Sequence, residues 1–307
     1  MPRLDASRTT RMLPSVLGSL VAVAAITATC LGDEPAGNRR PQPAASRSGT
    51  TPKKLPLGLQ VIRPADSSRK TRAVAIAELP VDRLSDDVRE HVEELVKTAA
   101  VFRRLPTIRF EILPATYEYF RTNPEIAVAI WRVMEISELK LERTEPDRLE
   151  ARSPDGSTGR LGILVSEPGR TLAVAEGRYT GPLLLAPIRG VGLLHIRGRF
   201  ERDRSGRMFV THTADLFVRF PSTSMQTVAR IISPFTNLIA DRNFQDISLF
   251  MRLMSLTMST RPGWIEQLVE RLEDIPVGRR LALLKVAARE HVAELKRRDR
   301  APEISRP

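Results

Sequence analysis

One cysteine and four scattered histidines in 307 residues leave almost nothing for metal or disulfide chemistry. Cys30 has no partner for an internal bridge, and a zinc site needs about four Cys or His ligands brought together. Aromatic residues make up only 5% of the chain, too few for the stacked platforms that hold unpaired bases. Beyond the N-terminus no stretch approaches the ~18–20 uninterrupted apolar residues of a membrane span, so a polytopic membrane protein is excluded. Nor is there a Gly-x-x-x-x-Gly-Lys phosphate loop, a Gly-x-Ser-x-Gly elbow or a His-Glu-x-x-His zinc pair. Gly190-Val191-Gly192 lacks a third glycine and lies among strands, where it makes no nucleotide fingerprint. The sequence therefore assigns no catalytic residue, no cofactor and no metal.

What is present suits a folded chain with a basic surface: 42% hydrophobic residues, 27% charged residues and a formal net charge of +12. Arg3, Arg8 and Arg11 precede the apolar or small residues of MLPSVLGSLVAVAAITA, the layout of a signal peptide over residues 1–32. Export to the periplasm or cell envelope is expected, with an uncleaved N-terminal anchor as the other reading of the leader. Cys30 offers a lipidation site, although Thr27-Ala28-Thr29 departs from the usual lipobox. In that compartment the excess arginine serves solubility or meets anionic head groups, and nucleic acid is disfavoured as a partner.

Residues 33–72 are rich in Pro, Arg, Ser and Gly (GNRRPQPAASRSGTTPKKLPLG) and read as a disordered linker. An N-terminal helical segment follows over 73–106, its helix opened by Ser85, ended by Leu105-Pro106, and packed along Val88, His91, Val92 and Leu95. A short strand, TIRFEIL, leads into two short helices hinged at Asn123-Pro124. A meander then fills 138–220, punctuated by Glu145-Pro146-Asp147 and Glu167-Pro168-Gly169. The C-terminal third is helical. Met225, Val228, Ile232, Phe235 and Ile239 share one face, and after a kink at Ser233-Pro234 the stripe continues through Ile247, Met251, Met254 and Met258. Residues 261–307 hold two further amphipathic helices and a frayed tail.

The last hairpin can be registered from chemistry. With Arg204-Ser205-Gly206 as a three-residue loop, Leu194 faces Leu216, Ile196 faces Ala214, Gly198 faces His212 and Phe200 faces Val210. That side is apolar and points inward, because a one-residue slip would mix the faces. The opposite side pairs His195 with Asp215 and Arg197 with Thr213, a solvated pattern in which the carboxylate would hold the imidazole. His212, on the apolar side opposite a glycine that leaves room, is either a core imidazole satisfied by a carbonyl or a polar contact inside a cavity. The methionine stripe has the same two readings, dense core or a lining for apolar ligands.

Strand, two helices joined through Asn-Pro, antiparallel strands and a long helix: TIRFEILPATYEYFRTNPE followed by the helix from Ser224 to about Ser259 resembles the helix-grip superfamily of START and polyketide-cyclase-like proteins. The likeness covers 107–260, about half the chain. It implies an α+β fold, an antiparallel sheet wrapped on a long C-terminal helix with extra flanking helices, enclosing an apolar small molecule or lipid without cofactor. No catalytic motif of that family can be matched residue by residue. The expectation is an exported, non-enzymatic binding protein whose ligand-binding residues are Ile196, Phe200, Val210, His212, Leu216, Met225, Ile232, Met251 and Met254, converging on a void. The alternative is a structural or interaction protein with a solid core, binding a protein partner through Leu281, Leu284, Val292 and Leu295. A cofactor-free enzyme with His212 as general base comes third.

Overall fold

The computed structural model describes residues 53–179, 188–220 and 223–300, with side chains over 223–236 outside the description. The expected leader and its lipidation site, and Met225 and Ile232 among the proposed ligand contacts, lie outside the described residues. The chain is α+β: an antiparallel sheet packs on a long C-terminal helix, with further helices at its flanks.

The elements are β1 (Lys53–Lys54), β2 (Gln60–Arg63), α1 (Arg69–Ala77), α2 (Asp86–Thr98), β3 (Val101–Arg104), β4 (Thr107–Glu111), α3 (Pro114–Thr122), α4 (Pro124–Val133), β5 (Lys140–Glu145) and β6 (Arg148–Arg152). There follow β7 (Thr158–Glu167), β8 (Arg170–Tyr179), β9 (Ile188–Arg202), β10 (Met208–Arg219), α5 (Thr223–Thr260), α6 (Pro262–Glu270) and α7 (Val277–Arg300). Sheet order is β1-β2-β4-β10-β9-β8-β7-β6-β5, and β3 pairs with the remaining half of the outer edge of β10.

Two expectations at the N-terminal side are corrected. The second half of the expected linker is ordered, for β1 and β2 extend the sheet beyond β4 and Leu59 is fully buried. The helix opened by Ser85 stops at Thr98, whose hydroxyl bonds back to the Glu94 carbonyl, and the residues taken for its last turn become β3. Val101 and Phe102 are β-branched and aromatic, suited to a strand, and they pair with Val218 and Phe217. His91 faces solvent, while Val92, Leu95 and Val96 form the seam.

Pro106 explains why two strands share one edge. Lacking an N–H it cannot continue the ladder, so β3 and β4 are offset around it. The Leu105 N–H donates to the Ala214 carbonyl at 2.8 Å and the Thr213 hydroxyl donates to the Leu105 carbonyl at 2.9 Å, so the break leaves no carbonyl orphaned there.

The β9–β10 register is the one its chemistry predicts: Val210 pairs with Phe200, His212 with Gly198, Ala214 with Ile196 and Leu216 with Leu194. Gly206 closes the loop with φ +81°. Even-numbered residues of β10 enter a core with α3, α4, α5 and α7. Odd-numbered ones face a second core, where Phe217 and Phe102 meet at 5.0 Å beneath Ala75, Leu79, Val92 and Leu95. The outer face is therefore covered around His195, Asp215 and Phe217, while Arg199, opposite Thr211 toward the hairpin loop, is exposed as expected. The helix α5 runs through Ser233-Pro234 as one element where a kink is expected.

Gly169, in the β7–β8 turn, has φ +71°, and a Cβ there would strike the Gly198 carbonyl oxygen. Its own N–H donates to Glu118 at 2.9 Å, while the Gly198 N–H donates to the Gly169 carbonyl at 2.7 Å. Gly169→Ala is expected to lower unfolding free energy by about 1–3 kcal/mol, read from the urea midpoint, with Gly206→Ala, whose Cβ meets open space, costing less.

Candidate functional site

The space between the sheet and α5 has two parts with different character. At the hairpin end, Val210, His212, Met251 and Met254 are buried and interlock with Phe110, Phe120 and Phe250, and Ile196 and Phe200 pack at the margin. The room expected beside Gly198 is filled by Tyr117, whose hydroxyl lies 3.0 Å from where a Cβ would stand. Of the seven expected contacts whose side chains are described, Leu216 borders a cavity, and the other six belong to packed core or its edge.

His212 is held by hydroxyls in place of the expected carbonyl. Its Nε2 lies 2.8 Å from Ser248 Oγ and its Nδ1 lies 3.2 Å from the Tyr117 hydroxyl, with Phe244 stacked at 4.6 Å. Ser248 spends its own proton on the Phe244 carbonyl at 2.7 Å, so Nε2 donates to Ser248 and Nδ1 accepts from Tyr117. Burial alone pushes this imidazole down to about 3 and raises the Tyr117 phenol. The ring is neutral, in one tautomer, with its lone pair already engaged. That is poor equipment for a general base and good equipment for tying β10 to α3 and α5.

On the outer face the expected His195–Asp215 pair does not form. Asp215 is fully buried and receives Arg104 through two bonds, at 2.6 and 2.9 Å, and Arg197 at 2.6 Å, with Glu78 bridging the two guanidiniums. A carboxylate saturated by bidentate arginine has no capacity left for imidazole. His195, directly opposite in register, is buried with both ring nitrogens unpartnered, and burial together with Arg197 pushes it down to about 4.

The second part of the interior lies one strand further along. A cavity of about 30 Å³ is lined by Leu105, Leu161, Ala175, Gly192, Leu194 and Leu216 from the sheet and by Ala240, Asn243, Phe244 and Ile247 from α5. Asn243 is 5% exposed, and its Nδ2 is buried without a hydrogen-bond partner. On the sheet side of this lining Ala175 pairs with Gly192 and with Leu161, while the glycine row Gly159, Gly177 and Gly190, one row along on the same face, lies outside the cavity. A buried amide donor facing an apolar bed costs about 1–3 kcal/mol unless something accepts from it. Sequence reasoning passed over this residue, yet a signal existed: Asn243 stands between Ile239 and Ile247, four residues from each, where the α5 stripe skips a turn.

Elsewhere, Glu290 is buried between the hydroxyls of Thr116 and Ser255, and burial holds its carboxyl above the usual range. Among the described residues no cluster of His, Cys, Asp or Glu could hold a metal ion, and no helix is long and apolar enough to cross a membrane.

No family model matches the chain, and no curated protein matches it. Among solved structures it is similar to an uncharacterized protein from Rhizobium leguminosarum, with 14% identity over 46% of this chain and 95% of that one and a TM-score of 0.26, a likeness too loose to bear on fold or function.

Both buried imidazoles have folded values below the ordinary 6.5, so unfolding binds protons between that value and about 4 or 3. Stability is full above pH 6.5 and falls as pH drops, by up to about 1.4 kcal/mol per pH unit for each ring. Urea midpoints across pH 7.5 to 5 check this. His195→Leu removes the unpartnered ring and should raise the midpoint at pH 5 more than at pH 7.5.

Proposed function

We propose that the chain is a non-enzymatic binding protein of the cell envelope that grips a largely apolar molecule carrying one hydrogen-bond acceptor, such as a lipid carbonyl, between the sheet and α5. Asn243 carries this reading. Its orphan Nδ2 borders an apolar space with no second polar side chain in the lining, whereas an ordered water wants about 2–4 polar partners. An apolar ligand with a single acceptor matches that inventory better. Ala175 and Gly192 leave part of the sheet lining without a large side chain, so that an apolar group can lie close to the backbone there.

The existing volume is that of about one water or methylene group. A longer guest therefore enters by parting α5 from the sheet residues that line the space. Export is supported by the arginine-led leader, the basic balance suits anionic head groups, and the order of elements resembles the helix-grip superfamily. The packed region around His212 serves as the anchor in this reading, and binding belongs to the Asn243 end.

Asn243→Leu separates the empty and filled states. Without ligand it should raise the unfolding midpoint by removing the orphan donor, about 1–3 kcal/mol, while retention of a fluorescent fatty acid falls. Solvent extraction and mass spectrometry of the purified full chain should release an apolar compound. A chain that yields none and ignores the fatty acid in both forms would sink the reading.

A further inference from the structure

The helix α7 buries one face and leaves a second apolar row in the open. Leu283, Val286 and Ala287 enter the core, whereas Val277, Leu281, Val292 and Leu295 are exposed at 59%, 50%, 46% and 44%. At ~100° per residue those four, with exposed Ala288, fall within an arc of about 60°. The row is therefore continuous along the helix, not a scatter of single exposed residues.

The borders of that row are cationic. Lys285, Arg289 and Lys296 follow one side, and none of them pairs with a carboxylate among the described residues. Arg280 and Arg298 lie along the other, Arg298 being held by Glu294 at 2.9 Å. The acids of α7 are turned away or spent: Glu290 is buried and Glu294 is engaged by Arg297 and Arg298. The exception is Asp299 in the final turn, an exposed carboxylate that falls within the arc at its C-terminal end.

We infer that the outward face of α7 is a docking surface for an anionic lipid bilayer, lying in the plane of the head groups with its valines and leucines in the acyl boundary. Charge complementarity selects the occupant. A second copy would set Lys285, Arg289 and Lys296 against like charges. A protein partner usually finds aromatic anchors, and this arc holds only Val, Leu and Ala. An apolar row edged by cations on both sides is what a helix lying on an anionic interface presents. This surface lies on α7 and includes no residue of the Asn243 cavity, so either can fail alone.

The full chain is tested by flotation with vesicles of phosphatidylglycerol and phosphatidylcholine in equal parts, against phosphatidylcholine alone. Binding should require phosphatidylglycerol and weaken with salt. Lys285→Gln with Arg289→Gln should lower partitioning by roughly 25-fold, about fivefold per cation. Leu281→Asp with Val292→Asp should lower it at least as far. All four positions are outward, so unchanged melting curves verify folding. Undiminished flotation of both double variants, or equal binding to neutral vesicles, overturns the inference. Capture by polyglutamate without flotation, or dimers that form through this face without vesicle binding, also overturns it, in favour of an acidic protein or a second copy.

Discussion

Both edges of β10 are paired and both of its faces enter packed cores over its second half, and the rest of the molecule follows from that. One edge pairs along its whole length with β9; the other is divided between β3 and β4 around Pro106. Alternate residues enter two different cores. A strand so confined cannot slip by one residue without driving His212, Ala214 and Leu216 into the core under α1 and α2, and Asp215 and Phe217 into the one under α5. The second core matters as much as the first. It recruits a segment, α1 through β3, that lies ahead of β4 in sequence and joins the same sheet.

Arginine accounts for more of this architecture than its excess on the surface suggests. Asp215, Arg104, Arg197 and Glu78 form one network across the outer face, and Glu125 receives Arg143 at 2.9 Å and also Arg279 from α7. Such buried pairs add little net stability over apolar packing, yet removing one partner strands the other charge. Their value here is positional: Glu125 joins α4, β5 and the start of α7, elements that are distant in sequence. His195 shows the opposite condition, a buried ring beside a carboxylate already claimed.

The contrast between the two ends of the inner space is the chemical basis of the binding proposal. Around His212 each donor has an acceptor and aromatic rings close the gaps. Around Asn243 the lining is apolar and short of one acceptor. Folding can tolerate an orphan amide of that kind at modest cost, and a ligand that supplies the acceptor recovers the loss on binding. The exposed row on α7 is a separate liability of the same sort, apolar area left open on a face bordered by cations.

The α+β class, the strand and helix order from Thr107 onward and the β9–β10 register were readable from the sequence because they depend on local signals: periodicity, Asn-Pro and Pro-Gly turns, and the left-handed Gly206. Partnership across space was not. The ordered β1 and β2, the conversion of the end of the expected helix into β3, and the burial of His195 depend on what packs above a face, and alternation along one strand does not reveal its cover. The ligand contacts expected on β10 shared the right side of the sheet, but whether that side interlocks or gapes was decided by Tyr117, arriving from α3, and by Asn243, standing where α5 faces Ala175 and Gly192 across the cavity. Local pattern determined which way each side chain points; only the assembled neighbours decided whether it meets a partner, a solvent molecule or an unfilled space.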